Sequence, residues 1–140
     1  MKIEGTLKKV GKWYAVEIPM LLIHTQGATR KEALEMAKDA VETVVDSQGF
    51  EASVLEITDA KFLIGGNDDS LFAAAILRQQ RGAKGLSVRD VAAALGSSSP
   101  NSYGRYESGD TKLTLQKFSQ FLSVILDDQE AVLSLERRRA

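Results

Sequence analysis

The spacing of apolar residues changes period once along the 140-residue chain, near residue 70, and no feature constrains the fold more. Residues 2–9 alternate, with Ile3, Gly5 and Leu7 on one side and Lys2, Glu4, Thr6 and Lys8 on the other. A period of two is that of a half-buried strand. Gly11-Lys12 reads as a turn, and Trp13–Ile18 as a second strand with Tyr14, Val16 and Ile18 on one face. Pro19, which cannot donate to a ladder, ends it. Leu21–Thr25 is expected as a third strand of an antiparallel meander.

Thr29 and Glu32 have the spacing of a capping box, which opens a helix. Its stripe is Leu34, Ala37, Val41, Val44 and Val45, and Gly49 is expected to stop it. Phe50–Ile57 is expected as a fourth strand. Residues 58–69 contain Gly65-Gly66-Asn67-Asp68-Asp69 and read as a connection. Beyond Ser70 the period is helical, with helices expected at 70–81, 87–95, 99–107 and 114–126, and a possible further one at 128–138. The reading is an α+β chain, β-β-β-α-β followed by an all-α part. Its expected divisions are a domain at 1–64, a linker at 65–69 and a second domain at 70–140.

Charge follows the same division. Residues 1–66 hold eight basic and ten acidic groups, and residues 67–140 hold ten and nine. Within 78–117 seven basic groups (Arg78, Arg81, Lys84, Arg89, Arg105, Lys112, Lys117) stand against Asp90, Glu107 and Asp110. That is a local patch, since the net charge of the whole chain is −1. The chain has no cysteine, which excludes disulfide scaffolds, thiol enzymes and cysteine-built zinc sites. The opening residues are polar and alternating, and no apolar run reaches membrane length, so a cytoplasmic protein away from membranes is expected.

Ser87 caps a helix in which Val91, Ala92 and Leu95 turn inward. Gly96 supplies a positive φ, and Ser98 or Ser99 caps a second helix in which Pro100 lacks only a superfluous N–H. Tyr103 and Tyr106 anchor that helix to a core. The Leu-Ser…Val-Ala…Leu-Gly run, the Arg-Tyr-Glu-x-Gly ending and the Leu-Thr-Leu-x-Lys-Phe that follows resemble the Cro/repressor-like helix-turn-helix family over about residues 70–126. Two departures are a turn at 97–101 one residue longer than usual and Leu113 in place of a typical proline. With both tyrosines inward, Asn101, Ser102 and Arg105 point outward as candidate base readers. Ser87, Ser99 and Lys112 are candidate phosphate contacts. Glu107 would repel DNA and is expected to bond inside the domain.

Trp13-Tyr14, Pro19, His24-Thr25-Gln26-Gly27 and the Thr29…Glu32-Ala33 helix start resemble the HicB antitoxin family over about residues 1–60. The resemblance implies a degenerate ribonuclease-H-like domain joined to a DNA-binding domain. It also implies a partner, a small basic HicA-type toxin that cleaves messenger RNA. The expected function is that of an antitoxin that neutralises this toxin and represses its own operon by binding double-stranded operator DNA. The alternative is a stand-alone regulator whose sheet domain senses a ligand or dimerises. No cofactor and no enzymatic activity are expected, because Glu4, Glu17, Glu51 and Glu56 form no recognisable metal set. Trp13, Glu32, Glu35, Asp39 and Glu42 are candidate toxin contacts. His24 reads as a packing or surface residue. A homodimer or higher oligomer is expected on a two-fold operator, with part of Phe118, Phe121, Leu122, Ile125 and Leu126 packed between subunits. The Arg137-Arg138-Arg139 tail suits the dipole of a last helix, with phosphate contact as the alternative.

Overall fold

The strand periods and cap residues recur in the computed structural model, which describes residues 1–138. The elements are β1 (Lys2–Val10), β2 (Trp13–Ile18), a 3₁₀ turn (Pro19–Leu21), β3 (Ile23–Gly27), α1 (Arg30–Val45), β4 (Ala52–Glu56), β5 (Lys61–Gly66), α2 (Asp69–Ala83), α3 (Val88–Ala94), α4 (Pro100–Ser108) and α5 (Leu115–Ile125). The α+β class holds. The chain divides into two compact units, Met1–Asp69 with residues 135–138, and Ser70–Ser134.

The first unit is a five-stranded antiparallel sheet in the order β3-β2-β1-β5-β4. One face carries Ile3, Leu7, Val16, Ile18, Phe62 and Ile64, all buried; α1 packs on β2, β3 and β4, with its Ala33, Ala37, Val41 and Val45 stripe buried as well. Small residues at every fourth position let the helix lie close to the sheet. At Gly27 a side chain would collide with the backbone of Ala33. Thr29 caps α1 by accepting the Glu32 N–H at 3.1 Å, and the Glu32 carboxylate accepts the Ala28 N–H at 3.1 Å.

Several expectations are corrected here. The expected connection at 58–69 contains a further strand, β5, which the turn-like Gly65-Gly66 conceals. Lys61–Gly66 lies between β1 and β4, so the order is β-β-β-α-β-β. Its glycines admit close neighbours: a side chain at Gly65 would strike the Met1 carbonyl, and one at Gly66 the Phe50 ring. The expected linker 65–69 shrinks to Asn67-Asp68, since Asp69 opens α2. The third strand starts at Ile23, because Pro19 begins a 3₁₀ turn and Leu22 takes a left-handed φ of 56°. Asp46, at φ 49°, ends α1 three residues before Gly49. In α1, Ala33 rather than Leu34 joins the buried stripe.

The second unit packs α2, α3, α4 and α5 around Phe72, Ile76, Leu77, Val91, Tyr103, Phe121, Leu122 and Ile125. All five apolar residues considered for a subunit interface, from Phe118 to Leu126, are buried within the chain itself. Residues 128–138 are irregular rather than helical. Val132, Leu133 and Leu135 remain exposed there, and a short helix without a packed face is not self-sustaining. Of the arginine tail, Arg139 lies outside the described residues.

Candidate nucleic-acid interface

Local chemistry sets the pair α3–α4. Ser87 and Asp90 form a full capping box, the Ser87 N–H donating to Asp90 Oδ2 at 2.8 Å and the Asp90 N–H to Ser87 Oγ at 3.0 Å. The Ser87 backbone N–H first, and then the Ser87 hydroxyl, bond to the Asp90 carboxylate and hold it below the ordinary carboxylate range. Gly96, at φ 77°, turns the chain out of α3. The Ser97 hydroxyl donates to the Ser99 carbonyl at 2.8 Å, and Ser99 caps α4 by accepting the Asn101 N–H at 3.3 Å. Pro100 occupies the first helical position.

The inward face of α4 is then fixed in two ways. Tyr103 and Tyr106 each meet the Phe121 ring edge-on, at centroid distances of 5.0 Å. Burial, and after it the neighbouring Glu107 carboxylate, raises the Tyr103 phenol far above its ordinary value. Its hydroxyl lies in the core without a hydrogen bond of normal geometry. Glu107 is buried, as expected, and Arg81 of α2 holds it. The Arg81 Nη1 also donates to the Leu86 carbonyl at 2.8 Å, and Arg78 to the Glu107 carbonyl at 2.8 Å.

This arrangement decides which cations remain available. Arg78 and Arg81 brace the helices, and Lys84 pairs with Asp128 at 3.1 Å. Among the described residues, the side chains of Arg89, Arg105, Lys112 and Lys117 have no carboxylate partner, and all four are exposed. Asn101, Ser102 and Arg105 are exposed together on α4 and line a cleft of about 720 Å³ with Val88, Ser108 and Asp110. Ser87 and Ser99 stand exposed at the N-termini of α3 and α4. Lys112 is exposed in the loop after α4. Arg89 and Lys117 were legible only as members of the basic stretch, not as site residues.

Residues 77–125 match the model of the helix-turn-helix family. That segment is a helix-turn-helix. Domains of this kind belong to DNA-binding transcription regulators. No curated protein and no solved structure matches the chain.

The candidate toxin contacts do not converge. Glu32, Glu35 and Asp39 lie along the exposed side of α1 around Met36, which is 39% exposed. Glu35 pairs with Lys38 at 3.3 Å, and Glu42 turns inward to accept the Ala52 N–H at 3.2 Å. Trp13 shares the parity of Ala15 and Glu17, so it lies on the sheet face opposite α1. The strand carboxylates are dispersed: Glu4 pairs with Lys61 at 3.5 Å, Glu17 with His24 at 3.6 Å and Glu56 with Arg30 at 2.9 Å. Among the described residues no three His, Asp or Glu side chains gather as metal ligands would, and no helix is long and apolar enough to cross a membrane.

Proposed function

We propose that this chain is the antitoxin of a toxin–antitoxin pair, a repressor whose helix-turn-helix unit binds operator DNA and whose sheet unit binds a small basic toxin. The observation that carries the DNA half is the exposed set Asn101, Ser102 and Arg105 on a helix whose other side is locked by Tyr103 and Glu107. Arg105 reads a guanine edge and Asn101 an adenine edge. Ser87, Ser99 and Lys112 hold phosphates, and the chain acts as a dimer on a two-fold site.

The toxin half rests on the resemblance of residues 1–60 to HicB antitoxins and on the exposed side of α1. There Met36 stands among Glu32, Glu35 and Asp39, an apolar anchor in an acidic setting that suits a basic HicA-type protein. Glu42 serves the fold, and Trp13 belongs to a different surface.

Co-expression of the chain with the small open reading frame beside its gene tests this reading. Growth rescue and co-purification, both weakened by Met36→Lys with the melting temperature unchanged, are the expected result. A harmless neighbour that forms no complex would leave a stand-alone DNA-binding regulator.

A further inference from the structure

The strands β1 and β2 run past the rest of the sheet. The pairing of β1 with β5 ends at Thr6–Lys61, whereas its pairing with β2 continues through Lys8–Ala15 and Lys9–Tyr14 to Val10–Trp13. Beyond Leu7, therefore, β1 and β2 form a ribbon, closed by Gly11 at φ 59°, whose β1 edge pairs with no other strand among the described residues. Its chemistry is one-sided. Residues 5–16 contain Lys8, Lys9 and Lys12 and no acidic residue. All three lysines are exposed, and among the described residues none has a carboxylate partner. On the face opposite α1, Trp13 is 48% exposed and Val10, directly across, 54%.

We propose that this ribbon is a second contact for duplex DNA, in addition to α4. It rests on the reading of the chain as a DNA-binding protein. Paired strands lie about 4.8 Å apart, and the major groove is about 12 Å wide and admits a two-stranded ribbon. The lysines meet phosphates along the groove walls, while Val10 and Trp13 present an apolar surface to base edges and thymine methyls. A single-stranded platform would need successive rings on one face. Here Tyr14 turns to the other face, under the Lys9 ammonium at 5.8 Å. A basic toxin is repelled by the same three lysines, which leaves its binding to α1.

Trp13 is the only tryptophan of the chain, so its fluorescence reports this ribbon alone. The full chain is titrated with a short mixed-sequence duplex, with the corresponding single strand in parallel, and binding is followed independently by anisotropy of labelled DNA. The expected result is a change in Trp13 emission that tracks duplex binding. In K8Q/K9Q/K12Q the slope of log affinity against log salt should fall by about 0.9 for each lysine that meets a phosphate. These three side chains are exposed, so the melting curve should not move. Duplex binding with silent Trp13 emission, an unchanged salt slope, or a response to the single strand alone overturns the inference. Arg105→Ala separates it from the α4 reading: that reading fails if Arg105→Ala leaves affinity intact, whether or not Trp13 responds. Absence of any duplex binding removes both.

Discussion

Arg81 clasps the buried carboxylate of Glu107 with two hydrogen bonds, Nε to Oε2 at 2.7 Å and Nη2 to Oε1 at 3.0 Å. The pair joins α2 to the inner side of α4, so the outward orientation of Arg105 depends on a contact 26 residues apart in sequence. The hydrogen bonding that Arg81 donates to Glu107 holds the Arg81 guanidinium above its already high value. Removing one partner strands the other. Glu107→Ala or Arg81→Ala is expected to cost about 3–5 kcal/mol in urea unfolding. Arg81→Met with Glu107→Leu should recover most of that loss. A double variant no more stable than the singles would show that the pair does not act through desolvation.

The capping box at Ser87 is a smaller support with its own signature. Ser87→Ala should cost about 1 kcal/mol of stability. Asp90 has a depressed carboxyl in the folded chain, so its contribution is present above the ordinary carboxylate value and is lost as pH falls through the lower folded value. Acid unfolding of Asp90→Asn should therefore lack that component below about pH 4. Identical acid limbs for Asp90→Asn and the parent chain would contradict the assignment.

Phe121 receives both tyrosines of α4 on one ring. Phe121→Ala should cost about 3–5 kcal/mol, the range for a buried aromatic replaced by alanine. Circular dichroism melts would read it, and DNA affinity measured well below the new midpoint should fall as well, because α4 loses its seat.

Gly27 tests the sheet unit separately. A methyl group there meets the Ala33 backbone, which cannot rotate away as a side chain can. Gly27→Ala should cost about 1–3 kcal/mol by overpacking. Gly11→Ala meets no neighbour and should cost less, from its positive φ alone. Equal losses at the two sites would rule out the close approach of α1 to β3.

At the DNA surface, Arg105→Ala should cost about 1–3 kcal/mol and relax preference at one base pair. Lys112→Ala should weaken all duplexes alike and lower the salt slope by about 1. Anisotropy titrations at several salt concentrations distinguish the two effects.

Local chemistry made much of this legible. Thr29, Ser87 and Ser99 announce helix starts because their hydroxyls satisfy nearby N–H groups, which is a matter of three residues. The alternation of Ile3, Gly5 and Leu7 reveals β1 for the same reason. The strand β5 escaped because Gly65-Gly66 has the composition of a turn, and only the approach of Met1 and Phe50 explains glycine there. The further helix at 128–138 fails in the opposite sense: its composition is helical, but Val132, Leu133 and Leu135 stay exposed. Asn101, Ser102 and Arg105 lie together because they share one short helix, whereas Trp13 and the α1 carboxylates, far apart in sequence, lie on opposite sides of the sheet.

The sequence by itself determined the class of each half, the helix caps and the outward-facing residues of α4, since all follow from interactions within a few residues. Tertiary structure alone decided which cations stay free. Arg78, Arg81 and Lys84 are spent on groups distant in the chain, while Arg89, Arg105, Lys112 and Lys117 are left exposed. It likewise decided that β1 and β2 outrun the sheet, because the length of a ribbon depends on where its neighbouring strand begins.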